Sequence, residues 1–290
     1  MPTNRLRVSL VIPAYNEESY LRECLEAACR QTVPFYEIIV VDNNSTDTTA
    51  AIAAEFPAVT LRREPRQGKV YARSAGFDAA TGTIIGRIDA DTMLPPDWNA
   101  TVQTIFADKQ LAATSGVPVY CDVVLAGLFN TVEHFFRQWM ARVLRHAVFL
   151  QGANMAMRRS AWQAVRSHLC SADRTVHEDF DLAIHLQELG HRVSYDPRLQ
   201  ANISARCLDV TFSFFVGYTL MNPRSYAAHH VPHYRRMYPV VWLTLLGFFP
   251  ARALFRGRDP ATGAFSLAYL LTPKPVNTRV KSAVEGFYLS

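Results

Sequence analysis

The run VSLVIP, Val8 to Pro13, is almost wholly apolar and β-branched, which predicts a strand buried on both faces. Tyr15, Asn16, Glu17 and Glu18 follow it, and then Leu21, Cys24, Leu25 and Ala28 recur at helical spacing, with Ser19 as the candidate cap. Phe35 to Val41 returns to a strand pattern that ends at Asp42, completing a strand-helix-strand unit. The segment VDNNSTDTTAAIAAEF repeats this logic with a polar turn, a cap near Ser45 or Thr46 and an alanine-rich helix; Val59 to Leu61 forms a short third strand. A further apolar lead, Thr83 to Ile85, runs through Ile88 into Asp89, Ala90 and Asp91 before a proline pair ends regular structure. It predicts a buried strand with two carboxylates at its mouth. Strands alternating with helices at this spacing imply a mainly parallel sheet, which places ligands beyond the carboxyl ends of the strands.

The texture changes further along. From Cys121 to Leu150, Val124, Leu128, Val132, Phe135, Phe136, Trp139, Val143 and Leu144 fall near helical spacing, with Arg137, Arg142, Arg145 and His146 among them. Such a helix suits either a lipid surface or packing on the rest of the chain. After Glu178 and Asp179, Leu182, Ile184, Leu186 and Leu189 predict a helix that begins with acids in its first turn. Phe212 to Met221, Val240 to Phe249 and Phe265 to Leu271 are apolar, but Pro239, Pro250 and nearby arginines are expected to keep each short of the ~20 residues that span a bilayer. Interfacial helices are the expectation, with packing on the core or on another subunit as alternatives. The pattern sets no oligomeric state.

Composition narrows the class. A chain of 290 residues, 49% hydrophobic and 19% charged, supports a large α/β core and excludes disorder. The net charge of +5 is unevenly distributed: from Ala205 onward ten Lys and Arg face three acids, a net +7 that leaves −2 for the remainder. A basic, apolar tail points to an anionic membrane surface rather than to nucleic acid, for which no binding pattern is present. The five cysteines are odd in number and form no C-x-x-C pair, so neither a disulfide framework nor a zinc ribbon is indicated. With no signal-peptide pattern before the first strand, the expected location is cytoplasmic, on the inner face of the membrane. His229, His230 and His233 are read as a polar turn rather than a metal site, since no H-E-x-x-H accompanies them.

Three polar features therefore converge at strand ends: Tyr15, Asp42 and the Asp89/Asp91 pair. Two acids a residue apart at a buried strand end repel one another unless a cation lies between them, and a hard divalent ion completed by a diphosphate meets that need. A solvated Asp-Pro turn is the alternative. The dinucleotide fingerprint G-x-G-x-x-G and the Walker A lysine are both absent, which disfavours nicotinamide, flavin and P-loop chemistry.

These motifs carry a resemblance. VIPAYNEE, VVDNNSTDTT, the GK-x-x-AR segment at Gly68, Lys69, Ala72 and Arg73, the DAD motif, GAN-x-A-x-R-R-S from Gly152 and the acids of HEDFDL occur in the order typical of family 2 glycosyltransferases. The resemblance implies a GT-A-type fold: a mixed, mainly parallel sheet flanked by helices, here with a helical, apolar C-terminal extension. It implies a catalytic domain over residues 1–205, with a nucleotide-sugar-binding half at 1–120 and an acceptor half at 150–205, followed by a membrane-associated region at 206–290.

Carried over to this sequence, the resemblance assigns Tyr15, Glu17, Asp42, Lys69, Arg73 and Asp89 to the donor, Asp91 to a Mn²⁺ or Mg²⁺ ion, and Asp179 to the catalytic base. Gly152, Ala153, Asn154 and Glu178 fall on the acceptor side. Ser74 departs from the asparagine common in relatives, and Arg73 lies on a helix that could show it to solvent. The Q-x-x-R-W motif of processive polymerases is missing, which favours transfer of a single sugar. The expected reaction is inverting transfer of a hexosyl or N-acetylhexosaminyl group from a nucleotide-diphosphate sugar, UDP-sugar first, to a hydroxyl of a lipid-linked or glycan acceptor. A polyprenyl-phosphate acceptor and a catalytically silent nucleotide-sugar-binding scaffold are the alternatives.

Overall fold

The computed structural model describes residues 6–143, 150–170, 176–259 and 261–272. Leu144, Arg145 and His146 of the middle segment, and the tail charges Lys274, Arg279, Lys281 and Glu285, lie outside the described residues. The chain forms two compact units. The first takes Met1–Pro118, Val148–Ala172 and Glu178–Asn202; the second takes Val119–Ala147, Asp173–His177 and Ile203–Ser290. In chain order the helices are α1 (Leu21–Cys29), α2 (Thr49–Ala54), α3 (Lys69–Ala79), α4 (Trp98–Ile105), α5 (Ala126–Val143), α6 (Arg159–Val165), α7 (Glu178–Glu188), α8 (Phe212–Ala228), α9 (Tyr238–Arg256) and α10 (Leu267–Leu271).

A seven-stranded sheet is built from β1 (Val8–Ala14), β2 (Glu37–Asp42), β3 (Val59–Arg63), β4 (Ile84–Arg87), β5 (Leu111–Tyr120), β6 (Met155–Arg158) and β7 (Arg192–Ile203). Its order is β3-β2-β1-β4-β6-β5-β7. The pairs β3-β2, β2-β1 and β1-β4 are parallel, while β6 runs antiparallel to both β4 and β5. This is the mixed, mainly parallel GT-A-type sheet that the motif order implied. The continuous apolar runs follow from coverage of both faces. Leu10, Ile12, Ile38 and Val40 enter one core with Leu21, Leu25 and Trp98, while Val11, Ile39 and Val41 enter the other with Phe77 and Trp162.

Local details differ from the sequence expectation. Helix α1 begins after Tyr20, with no side-chain cap, so Ser19 does not fill that role. Thr48 occupies the cap position of α2, and the Asp47 carboxylate accepts from the Thr49 N–H at 2.9 Å. Strand β4 stops at Arg87, which leaves Asp89 and Asp91 in the turn beyond it.

The second unit packs Val123, Leu208, Phe215, Val241, Leu245 and Phe248 into a core of its own, with the rings of Phe215 and Phe248 4.5 Å apart. Asp209 accepts from Arg256 at 2.7 Å and fixes the C-terminal end of α9. The expectation that prolines hold every apolar segment short of a bilayer is corrected here. Tyr234–Arg256 is 23 residues long and apolar enough to cross a membrane. Pro239 lies in the first turn of α9, where its missing N–H leaves no helical bond unmade, and the helix continues through Pro250. One stripe of α9, Val241, Leu245 and Phe248, is buried, whereas Trp242, Leu243, Leu246 and Phe249 are exposed. Leu128, Val132 and Phe135 form a similar exposed stripe on α5. The histidine segment is a turn: His230 and His233 take left-handed φ values of 53° and 64°.

Candidate active site

The loops after β1 and β2 are laced to one another at the carboxyl edge of the parallel strands. Asn16 Oδ1 accepts from the Thr46 N–H at 2.8 Å, the Glu17 N–H donates to Thr49 Oγ1 at 2.7 Å, and the Glu18 N–H donates to Asp47 at 3.2 Å. Asp42, buried at the end of β2, accepts from the Ser45 N–H at 3.2 Å. Together with Asn44, Ser45, Asp47, Arg63 and Pro65 it lines a cleft at this edge. Asn43 organises the neighbouring loop. Its amide donates to the carbonyls of Glu64 and Arg66, and its Oδ1 accepts from the Gly68 N–H at 2.7 Å. Gly68 has a φ of 140°, a conformation a side chain disfavours, and it turns the chain into α3 at Lys69.

Beyond β4, Asp89 and Asp91 are partly exposed, and Glu17 is partly exposed beyond β1. The Cys24 thiol, fully buried on α1, donates to the Asp89 carbonyl at 3.8 Å. Burial pushes its pKa up, and the charges of Asp91, Glu17 and Asp89 push it further. Three carboxylates from two segments thus act on one buried group. The donor atoms of Glu17, Asp89 and Asp91 are all hard oxygens, the chemistry that Mg²⁺ and Mn²⁺ prefer.

The most heavily charged part of the site is buried. Arg87, last residue of β4, has a side chain only 3% exposed. Its Nη2 donates to Glu178 Oε1 at 2.7 Å and lies 3.6 Å from Asp89, while its Nη1 donates to Asp179 Oδ1. The Gly152 N–H donates to the other Asp179 oxygen at 2.8 Å. A Cβ at position 152 would collide with the Arg87 guanidinium, so only glycine lets the backbone lie on its face. Arg73 is fully buried, contrary to the expectation that α3 could show it to solvent. Its Nη1 donates to the Glu178 carbonyl at 3.0 Å, and its guanidinium lies 5.9 Å from the Trp162 ring centroid. Arg73 therefore anchors the start of α7 from inside the protein.

Glu178 and Asp179 are adjacent, yet their environments drive them apart. Burial would raise Glu178, but Arg87, Arg73 and Lys69 together hold it below the ordinary glutamate range. For Asp179, burial is the largest influence; Arg87 pulls downward, the neighbouring Glu178 charge adds to burial, and the carboxyl stands above the ordinary aspartate range. Divergent carboxylates of this kind commonly divide their roles between a permanent charge and a proton acceptor.

The predicted residues thus fall into three groups. Asp42 ends β2; Tyr15, Glu17, Asp89 and Asp91 lie beyond strand ends, and Lys69 opens α3. Glu178, Asp179 and Gly152 meet at Arg87. Asn154 points inward. Its amide donates to the carbonyls of Val117 and Leu199, and its Oδ1 accepts from the Trp98 indole at 2.8 Å, so its side chain braces strands rather than facing a ligand. Ala153 is likewise buried, and its carbonyl accepts from Thr92. Sequence reasoning passed over Arg87 and Asn43. A lone cation in the apolar run IIGRI was the available signal for Arg87.

A GT-A-type fold with acidic strand ends and a pair of acids held by a buried arginine beside them defines the class. Within that class, the glycosyl transferase family 2 pattern matches residues 9–166, and the chain belongs to this family. Over 172 residues it is 33% identical to an undecaprenyl-phosphate 4-deoxy-4-formamido-L-arabinose transferase of Pseudomonas fluorescens, covering 56% of this chain and 45% of that protein. The chain spans about half the length of the curated relatives it matches. The fold is similar to that of the mannosyltransferase PcManGT of Pyrobaculum calidifontis, solved with GDP-Man and Mn²⁺: TM-score 0.61, 22% identity, 99% of this chain and 86% of that one. It is also similar to the glucosyl-3-phosphoglycerate synthase of Mycobacterium tuberculosis, solved with Mn²⁺, UDP-glucose and phosphoglyceric acid: TM-score 0.53, 17% identity, 78% of this chain and 81% of that one.

Proposed function

We propose that this chain is an inverting, metal-dependent glycosyltransferase that moves one sugar from a nucleotide-diphosphate donor to a hydroxyl of a membrane-associated or glycan acceptor. The observation that carries the reading is the pairing of two acidic centres in one unit: partly exposed Asp89 and Asp91 beyond β4, and a half-buried Asp179 held above its ordinary range. The catalytic portion is taken as residues 1–205 and the membrane-associated portion as 206–290.

Tyr15 and Asp42 bind the nucleoside, the first by packing against the base and the second by accepting its polar hydrogen. Asp91, with Glu17 beside it, would hold Mn²⁺ or Mg²⁺, which when bound supplies positive charge to the leaving diphosphate. Lys69 adds positive charge on the donor side, and Asp89 faces the ribose or sugar. Asp179 accepts the proton of the acceptor hydroxyl as its oxygen attacks the anomeric carbon; the bond from that carbon to the diphosphate breaks, and its electron pair leaves with the diphosphate. A carboxyl held above its usual range is a better proton acceptor than an ordinary aspartate.

The mannosyltransferase and the synthase above were solved with guanosine and uridine diphosphate sugars respectively. A uridine diphosphate sugar remains the first choice here, and a thermal-shift screen against UDP, GDP, CDP and dTDP, with and without Mn²⁺, tests it. A Mn²⁺-dependent rise in melting temperature with one nucleotide, lost in Asp91→Ala, is the expected result. No shift with any of the four would count against the donor site.

A second reading is transfer to a polyprenyl phosphate, supported by the name of the Pseudomonas relative and by the exposed apolar stripes of α5 and α9. A phosphate oxygen is already ionised and needs little help from a base. Asp179→Asn separates the two: a loss of ~10²–10⁴-fold supports a hydroxyl acceptor, and near-full activity supports a phosphate. In either case the exposed stripes and the basic tail support peripheral contact with an anionic membrane on its cytoplasmic side.

A further inference from the structure

We propose that Arg87 is the positioning residue of this site, aiming the Asp179 carboxylate toward the acceptor while Glu178 serves as the counter-ion of the guanidinium. The proposal rests on the reading of Asp179 as the base. Four observations support it.

First, each Asp179 oxygen is gripped from a different side, Oδ1 by Arg87 Nη1 and Oδ2 by the Gly152 N–H. Two fixed donors leave the carboxylate one orientation. The side chain is still 20% exposed, so its remaining lone pairs can reach a ligand. Second, the charge is in an expensive place. Strand β4 is otherwise apolar and fully buried, and a buried ion pair is commonly no more stable than well-packed apolar residues of the same volume. Stability alone gives the strand no reason to end in arginine.

Third, the fork geometry is specific to arginine. One planar group serves Glu178 and Asp179 on separate nitrogens and also lies 3.6 Å from Asp89. A lysine ammonium could occupy the same space but could not hold two carboxylates in a plane. Fourth, the surroundings are shaped around that plane. Gly152 has no Cβ, which lets the guanidinium lie flat against its backbone, and Arg73 holds the Glu178 carbonyl so that α7 starts at a fixed height. The guanidinium thus stands between the donor carboxylate Asp89 and the proposed base.

Arg87→Met alone would leave Glu178 buried without its partner and could simply unfold, so the test is the double variant Arg87→Met/Glu178→Gln. It removes one positive and one negative charge together. The probe is Mn²⁺-dependent hydrolysis of UDP-glucose or GDP-mannose, whichever the nucleotide screen selects, with water as acceptor. The double variant is expected to keep its nucleotide-induced thermal shift and a donor KM within ~3-fold of the parent, while kcat falls ~10²-fold, the loss that a small misplacement of a reacting group brings. The acid limb of kcat/KM should move to higher pH, because Arg87, which favours the ionised Asp179, acts on it more strongly than the Glu178 charge that is removed with it. Arg87→Lys should recover the position of that limb more than it recovers kcat.

An unchanged kcat and an unmoved limb in the folded double variant would overturn the proposal and leave Arg87 a structural residue. Asp179→Asn, measured beside it, keeps the two claims apart. If Asp179→Asn is inactive and the double variant is not impaired, the positioning role fails while the base stands. If Asp179→Asn retains activity, the base itself fails, and the positioning role goes with it.

Discussion

Among the described residues, the buried charged side chains, Asp42, Glu64, Arg73, Arg87, Glu178 and Asp181, all lie in the first unit. Of the seventeen large apolar side chains left exposed among the described residues, fifteen lie in the second. The first unit has taken on the cost of desolvating charge, and it meets that cost with close pairs such as Arg87 with Glu178. The second unit has done the reverse, enclosing only a small apolar core and presenting the rest of its apolar surface outward. One arrangement suits chemistry on a polar ligand; the other suits a non-aqueous neighbour.

The contrast can be broken most forcefully in the first unit. Arg87→Met, which strands two carboxylates, should lower the unfolding free energy by ~3–5 kcal/mol in urea titration, with Arg87→Met/Glu178→Gln recovering most of the loss. Equal destabilisation by both variants would mean that packing, not charge, holds this part of the unit. In the second unit the effect should fall on binding instead. Leu243→Glu/Leu246→Glu places charge on the exposed stripe of α9 and should reduce flotation with anionic vesicles by ~10-fold or more, with little change in melting temperature. A large fall in melting temperature would instead mark that stripe as part of a core. Smallest of all, Tyr36→Ser, on an exposed apolar residue of the first unit, should change stability by less than ~0.5 kcal/mol and leave vesicle binding unaltered.

Much of the first unit could be read from the sequence, because its signals are local. The alternating entry of Leu10, Val11 and Ile12 into two cores needs only the two-residue period of a strand buried on both faces, and the acids beyond β4 stand next to the strand that delivers them. Arg87 could not be understood that way. Its partners Glu178 and Asp179 stand 91 and 92 residues further along the chain, so the strand showed an unexplained cation, and the motif that marked the two acids gave no sign of the arginine they share. The bonding of Asn154 was illegible for the same reason. Its neighbours in sequence suggest a ligand loop, but its hydrogen bonds go to Trp98, Val117 and Leu199. In α9, Pro239 and Pro250 marked breaks by rule, yet one falls where the helix needs no donor and the other is accommodated within it.

The missing side chain at position 152 also constrains how this protein can vary. A guanidinium fills the space where a Cβ would stand, so the two positions are not free to change one at a time. Replacing Gly152 first displaces Arg87, whereas replacing Arg87 first strands Glu178 and Asp179; each route passes through an impaired intermediate. Positions 87 and 152 should therefore drift together across descendants of this sequence, with larger residues at 152 permitted only where 87 has already become short and uncharged.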